Sequence, residues 1–313
     1  MKKLLSVIII GIVVLGGLGA VVTGAYQPAK KSYTNNTVRT TYEDELDQSM
    51  TDYDGSLPIG RTNIFGFYAN LTVSQSFIPQ KELLTRTQFL MARNASTSHP
   101  CVLAIRDNLT GENLAIVSVA PDEFPVVNET PTEEQLAWVE FNFDDIWVNP
   151  GQTYYIVVYT TNITENYYWI SGNGTNIYPN GSVMLSIDDG KTWLDIFPDA
   201  DGCFKTYGLR ETFLNINMYS NRFGPSFYIK NIGNYTAWDI TWNITINGGI
   251  FGLIHKQVID NLSELLPGNQ TIIKMSGFFG LGPVTISVRI SAANVHEQIK
   301  QMQAKVFIIF WIV

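Results

Sequence analysis

Short runs of alternating apolar and polar residues dominate the chain from about Arg61 onward. In "AWVEFNF", Val139, Phe141 and Phe143 fall on one side of an extended strand, and the residues between them fall on the other. Turn signals rich in Gly, Pro, Asn and Asp separate such runs, whereas no run has a convincing helical period. The pattern therefore predicts an all-β protein.

The runs form two groups. Residues 59–208 contain about ten predicted strands, which favours a jelly-roll-like antiparallel sandwich. Residues 209–313 contain about seven, which fits an immunoglobulin-like sandwich. The closing run "VFIIFWIV" is too short to span a membrane, so we expect it to be a core strand of the second sandwich.

The N-terminal part differs from both groups. Lys2 and Lys3 precede an uncharged apolar run, so residues 1–23 are predicted to form a hydrophobic leader helix, either a cleaved signal peptide or a retained membrane anchor. Residues 24–58 lack apolar periodicity and predict a disordered stalk or linker. Both interpretations of the leader place the chain outside the cell or on its surface. Membrane contact is then expected only through the N-terminal segment, if it is uncleaved.

Glycosylation sequons of the form N-x-S/T are unusually frequent. Roughly four would arise by chance from the composition, and their excess supports export. The alternative is that Asn and Thr are simply common in β-turns. The twelve sequons begin at Asn35, Asn70, Asn94, Asn108, Asn128, Asn162, Asn173, Asn180, Asn234, Asn243, Asn261 and Asn269.

The net charge of −8 is divided unevenly. Residues 56–208 contain 7 basic and 17 acidic side chains, whereas residues 209–313 contain 8 basic and 5 acidic ones. Nothing forms a basic groove, so nucleic acid is not an expected partner. The expected partners are a cell-surface glycan or protein, or another copy of the chain. Self-association would be head-to-tail, because the two domains carry opposite charge.

The two cysteines, Cys101 and Cys203, are predicted to form one disulfide, as an even number in an exported chain allows. Two buried free thiols are the alternative. No C-x-x-C motif is present, and we expect neither a metal site nor a cofactor. The Asp-rich turn "FPDADG" resembles part of a calcium loop, but no EF-hand pattern completes it.

The stretch "SIDDGKTW", Ser186 to Trp193, resembles the Asp-box hairpin of sialidases and related propellers. It occurs once, and the chain is too short for a six-bladed propeller. Asp188 and Asp189 can cap turn N–H groups, and Gly190 permits a positive φ angle. The motif therefore predicts a structural hairpin rather than an active site.

Two longer segments resemble known modules. The segment from "QSFIPQKELLTRTQFLMAR" to "CFKTYG" resembles a β-sandwich module of exported archaeal and bacterial surface proteins. The segment "FYIKNIGNYTAWDITWNITINGG" is similar to cell-adhesion-related (CARDB-like) immunoglobulin-like domains, with Lys230, Asn231, Gly233 and Ala237 at the matching positions and a later Leu266-Pro267-Gly268 turn. The resemblance implies an extracellular envelope protein and implies no catalytic residues.

Aromatic side chains are the best candidates for contact with a ligand. Flat aromatic faces stack on sugar rings, and one of each neighbouring pair in a strand must face outward. The weak glycan-binding candidates are Tyr168, Trp169, Tyr178 and Trp193. Tyr154, after the turn at Pro150, resembles a tyrosine corner, which fixes a sandwich crossover.

The sequence thus favours a non-enzymatic, exported and glycosylated surface protein that acts in adhesion or in envelope or filament assembly. None of the three histidines lies in a hydrolase motif, so no catalytic residue is predicted. A carbohydrate-binding module protein is the first alternative. A secreted glycoside hydrolase is the second, because acidic side chains are plentiful.

Overall fold

The structure is a computed structural model that describes residues 44–64, 67–221, 224–275 and 280–306. These residues form an all-β protein of antiparallel sheets, with short 3₁₀ turns and no α-helix among them. No helix in this part of the chain has the length and hydropathy to cross a membrane. The expected leader helix, the first part of the stalk, Asn35 and residues 307–313 of the closing run lie outside the described residues.

The described chain divides into two compact units between Leu209 and Arg210. The strands of the first unit are β1 (Glu45–Met50), β2 (Gly55–Ile64), β3 (Phe67–Phe77), β4 (Leu83–Asn94), β5 (Cys101–Arg106), β6 (Ala115–Val119), β7 (Val126–Val127), β8 (Ala137–Trp147), β9 (Tyr154–Thr160), β10 (Asn166–Asn173), β11 (Val183–Ser186), β12 (Asp201–Gly202) and β13 (Phe204–Leu209).

The long strand β3 belongs to both layers of the first unit. The first half of β3 pairs with β2 in one layer, whose strand order is β1-β13-β4-β10-β2-β3. In the same layer, β8 pairs with the edge of β4 opposite to β13. The second half of β3 pairs with β9 and β11, and β9 leads on to β5 and β6. Alternating side chains fill the space between the layers, including the fully buried Phe77, Phe89 and Phe204.

The predicted stalk is wrong for residues 44–58. This segment contains β1 and the start of β2, and β1 pairs with β13 at the edge of the sheet. Only Gln48 and Met50 of β1 are buried, because the strand is covered on one side alone. An edge strand with two buried positions lacks the apolar periodicity that identifies a strand in the sequence.

The tyrosine corner is confirmed. The Tyr154 hydroxyl accepts a hydrogen bond of 3.0 Å from the backbone N–H of Asn149, five residues earlier. Gly151 has a φ of 84°, which the intervening turn requires and most residues avoid. The bond ties the turn to the start of β9 and so fixes this crossover.

The described residues of the second unit form seven strands, which agrees with the number predicted from its sequence. They are β14 (Leu214–Asn221), β15 (Gly224–Asn231), β16 (Ala237–Gly248), β17 (Ile254–Leu265), β18 (Gln270–Lys274), β19 (Gly282–Ala292) and β20 (Val295–Val306). They form a three-stranded sheet, β14-β15-β18, and a four-stranded sheet, β17-β16-β19-β20. Alternate residues of β16 and β19, such as Ile244 and Val288, form an almost wholly aliphatic core.

Candidate functional site

The Asp-box segment forms a hairpin that uses its polar groups internally. The Ser186 hydroxyl donates to Asp188 at 2.8 Å and accepts from the Gly190 N–H at 2.9 Å. Asp188 also accepts from the N–H groups of Lys191 and Thr192, at 3.1 and 2.9 Å, and from the Thr192 hydroxyl at 2.7 Å. Burial alone would raise the pKa of Asp188, but these hydrogen bonds lower it below the ordinary value.

The tip of the same hairpin requires unusual backbone angles. Asp189 and Gly190 have φ values of 62° and 79°. Asp189 is held by the Asn70 side-chain amide, which donates to its carboxylate at 2.6 Å. Trp193 lies beside Gly190, where a Cβ atom would be 3.6 Å from its ring. These contacts fit the structural role expected from the motif.

The predicted glycan-binding aromatics do not form one platform. Tyr168 and Tyr178 are buried, and the prediction that they contact a ligand is wrong for that reason. The Tyr168 hydroxyl donates to the His99 carbonyl at 2.7 Å, and the Tyr178 hydroxyl donates to Gln48 at 3.0 Å. Burial also raises the pKa of both tyrosines.

The other two aromatic candidates are half-buried on separate elements. Trp169 lies in β10 and packs edge-on against Tyr167, with 5.8 Å between ring centroids. Trp193 follows β11 in the Asp-box hairpin. The sequence places the four candidates near one another, but in the fold two of them lie in β10 and the other two in separate loops.

The predicted disulfide is not formed, because Cys101 and Cys203 are both free and buried. Cys101 lies in β5 between Val119 of β6 and Thr160 of β9. Cys203 instead lies beside β10 and β4, and its thiol donates to the Asp52 carbonyl at 3.5 Å. Burial raises the pKa of both thiols, that of Cys203 to about 12.

The sequon asparagines differ in their accessibility. Asn70 and Asn94 are buried, and Asn70 uses its side-chain nitrogen to bind Asp189. These two are therefore poor acceptors in the folded chain. Asn173 and Asn243 are half-buried. Seven others are exposed, namely Asn108, Asn128, Asn162, Asn180, Asn234, Asn261 and Asn269.

Asp201, in the Asp-rich turn, is a hydrogen-bond acceptor inside the first unit. It is buried, and its carboxylate accepts from the N–H groups of Tyr178 and Ile177 at 2.7 and 3.0 Å. Burial raises its pKa, which outweighs these hydrogen bonds. Among the described residues, no group of three His, Cys, Asp or Glu side chains is placed to hold a metal ion.

A different set of side chains is brought together on β4, β8 and β13. In-register pairing places them on one side of the sheet, because Arg86 lies opposite Tyr207, and Gln88 lies between Glu140 and Lys205. Glu140 is exposed, and the other members are half-buried. This polar–aromatic face consists of Arg86, Gln88, Trp138, Glu140, Lys205 and Tyr207.

Arg86 organises the polar–aromatic face. Its guanidinium lies 3.6 Å above the Tyr207 ring and forms ion pairs with Asp44 at 2.8 Å and Glu140 at 2.9 Å. Burial opposes the charged form of Arg86, but the hydrogen bonds and charges of Asp44 and Glu140 raise its pKa overall. The side chain is therefore held as a fixed cation.

The remaining members are fixed by similar contacts. The Tyr207 hydroxyl donates to Gln88 at 3.0 Å, and the Lys205 ammonium lies 3.9 Å above the Trp138 ring. A cation thus covers one face of each aromatic ring. Sequence reasoning missed this group because its members lie on three strands that are far apart in the chain. The alternation in "TRTQ" indicates that Arg86 and Gln88 face outward, but it does not indicate which residues of β8 and β13 lie beside them.

Comparison with known proteins identifies no family. No protein-family model matches the chain, and no characterised protein is similar to it in sequence. Solved structures that superpose on it include a β-glucuronidase from Bacteroides uniformis, at 9% identity and a TM-score of 0.22. This superposition covers 83% of the present chain and 32% of the β-glucuronidase.

A GH2 β-galacturonidase from Eisenbergiella tayi, solved with glycerol bound, superposes at 9% identity and a TM-score of 0.21. This superposition covers 84% of the present chain and 44% of the β-galacturonidase. The chain thus spans less than half of each of these enzymes. Similarity at this level carries no inference about activity or ligand.

Proposed function

We propose that the chain is an exported, glycosylated and non-catalytic surface protein, which acts in adhesion or assembly through its polar–aromatic face. The observation that carries the proposal is the grouping of Arg86, Trp138 and Tyr207 on one accessible sheet face. Arg, Trp and Tyr are the residue types that most often dominate the binding energy of protein interfaces. None of the exposed sequon asparagines lies on β4, β8 or β13, so attached glycans would leave this face open.

A protein partner fits this face better than a sugar. Stacking on a sugar ring needs a free aromatic face, and the cations leave at most one such face on Trp138 and on Tyr207. The mixed charges of Arg86, Lys205 and Glu140 instead suit a partner of complementary pattern, which would include a second copy of the chain. The ion pairs of Arg86 and the contact of Lys205 with the Trp138 ring hold these side chains in place before binding, which lowers the entropic cost of association.

A matched pair of charge reversals would test the proposal. Beads coated with purified chain would be bound to cells of the native source, and to beads that carry the same chain. Lys205→Glu should reduce binding about tenfold, because reversal at an interface leaves unfavourable charges in contact. Lys191→Glu makes the same change of net charge in the exposed Asp-box hairpin and should leave binding unchanged.

Two outcomes would overturn the proposal. Equal binding by Lys205→Glu and Lys191→Glu would show that the polar–aromatic face does not take part in binding. Release of reducing sugar from a panel of glycans by the purified chain would replace adhesion with hydrolysis. Binding to the glycan panel without cleavage, lost in Lys205→Glu, would favour the carbohydrate-binding alternative.

A further inference from the structure

One end of the second unit exposes large apolar side chains that its core does not use. We define the apolar tip as Ile250, Phe251, Leu253 and Leu281, which lie in the β16–β17 connection and just before β19. Phe251 is 92% exposed and Leu253 is 81% exposed. Neighbouring Ile254, by contrast, is buried and completes the core. The tip residues therefore project from a sandwich that is already closed beneath them.

The backbone holds this tip in a defined shape. The N–H of Gly249 donates to the Pro283 carbonyl at 2.7 Å, and the N–H of Ile250 donates to the Leu281 carbonyl at 2.7 Å. Phe251 has a φ of 58°, a conformation that is unfavourable for a bulky residue. Unfavourable backbone angles of this kind tend to occur where the strain serves a function. Here the strained residue is also the most exposed apolar one.

Charges around the tip have a single sign. Lys256 lies in β17 close to the tip, and Lys305 lies opposite Pro283 in β20. Residues 243–259 and 265–296 contain no Asp or Glu at all. The acidic residues Glu264 and Asp239 lie at the other end of the four-stranded sheet, where β16 begins. Among the described residues of the second unit, the charged side chains nearest the apolar tip are therefore basic.

We infer that the apolar tip inserts into the surface of a lipid bilayer with anionic headgroups. Exposed apolar clusters mark membrane or protein contacts, and the two most exposed members of this one lie on the short connection between two strands. Lysines beside an apolar insertion attract anionic lipids and hold the insertion at the interface. This contact would be additional to the membrane contact expected of the N-terminal segment, and it would orient the second unit at the membrane.

A local probe on the full chain tests this inference separately from the N-terminal segment. Phe251→Cys would be labelled with the environment-sensitive fluorophore NBD, while Cys101 and Cys203 stay unlabelled because both are buried. The chain would be mixed with unilamellar vesicles of phosphatidylcholine, with and without phosphatidylglycerol, and with nitroxide-labelled lipid as a quencher. Ile259→Cys is the control, since Ile259 is 67% exposed on β17 but lies outside the tip.

The label at position 251 should shift to shorter wavelength, gain severalfold in emission and be quenched by nitroxide lipid. The effect should be larger with phosphatidylglycerol present, and the label at position 259 should not respond. Leu253→Cys should behave like Phe251→Cys, which guards against a local effect of one substitution. Equal responses at 251 and 259, or none at 251 and 253, would overturn the inference. A shift that depends on protein concentration without vesicles would assign the tip to a second copy of the chain.

Discussion

The two units bury different kinds of side chain. The first buries many polar groups among its aromatic residues, including Gln48, Gln75 and Asp201. The second has a core made mainly of Ile and Val and buries few polar groups in its described part, among them Asn231 and Asn294. A buried polar group is unfavourable unless it is hydrogen-bonded, so each unit has to satisfy its polar groups in a specific geometry. The units thus depend on directional bonds to different extents.

In the first unit these bonds form a continuous network. Gln75 in β3 accepts from the Gly202 N–H at 2.6 Å, and Asp201 accepts from the Tyr178 N–H at 2.7 Å. The Tyr178 hydroxyl then donates to Gln48 of β1. The network joins strands that lie far apart in the chain, including the edge strand β1. It therefore contributes to the choice of strand neighbours, as well as to stability.

In the second unit the buried amide side chains of Asn231 and Asn294 lie at one end. The Asn231 side chain donates to the carbonyls of Tyr235 and Leu265, each at 2.8 Å, and accepts from the Gly233 N–H at 3.0 Å. Asn294 similarly donates to two backbone carbonyls. The opposite end carries the apolar tip. One end of this sandwich is thus held by amide side chains, while the other exposes hydrophobic ones.

The largest expected effect tests the polar end of the second unit. Asn231→Ala removes hydrogen bonds to three backbone groups and to the Thr212 hydroxyl, so it should lower the free energy of unfolding by about 4 kcal/mol. Hydrogen exchange of the full chain in increasing urea, read on peptides from β16 and from β10, would measure each unit separately. Protection should fall in β16 and stay unchanged in β10.

The control for this prediction is Asn234→Ala. Asn234 is exposed in the same loop, and its loss should change stability by less than about 0.5 kcal/mol. Equal loss of protection in β10 and β16 after Asn231→Ala would show that the two units do not unfold independently. The comparison between them would then lose its basis.

A smaller effect is expected from the network of the first unit. Tyr178→Phe removes the donor to Gln48 and the acceptor for the Ile78 N–H, which lies at 3.2 Å. It should cost about 2 kcal/mol, and only in the first unit. Tyr219→Phe, at an exposed position of the second unit, is the matched control. A neutral Tyr178→Phe would mean that the network is dispensable for stability.

The Asp-box hairpin should contribute a pH-dependent share of stability. The pKa of Asp188 is lower in the folded chain than its ordinary value of 3.8. Its contribution is therefore present above that value and is lost as the pH falls through the folded pKa. Asp188→Asn should destabilise the first unit by about 1 kcal/mol at neutral pH and by less at strongly acidic pH. Thermal unfolding of both proteins across this range would show a constant difference if the prediction is wrong.

The sequence and the structure agree where a strand carries its own signal. Alternation within "AWVEFNF" predicts β8, because the buried Val139, Phe141 and Phe143 are two residues apart. The sequence does not predict the structure where a feature depends on pairing with a strand that is distant in the chain. Neither the edge strand β1 nor the pairing of Arg86 with Tyr207 can be found without knowing the register of β13.

The aromatic candidates illustrate a second limit. Two neighbouring residues of a strand point to opposite sides, but the sequence does not say which side is the core. In β10 the fully buried residue is Tyr168, and the half-buried one is Trp169. The amino-acid types in β10 do not indicate which side of the strand faces the core. It depends on which layer covers the strand.

The smallest expected effect concerns the two thiols, and it decides whether a covalent bond contributes to the first unit. A disulfide that closed a loop of this length would stabilise by roughly 2–4 kcal/mol, and a reductant would remove that contribution. Because Cys101 and Cys203 are free, adding a reductant should leave the unfolding of the first unit unchanged. Because both thiols are buried and their pKa values are raised, Ellman's reagent should react with neither in the folded chain and with both after unfolding. The prediction of two free thiols would be contradicted if the purified chain lost stability on reduction, or if it showed no reactive thiol in denaturant. The first unit would then be held by a covalent link as well as by its polar network, and its contrast with the second unit would have a different cause.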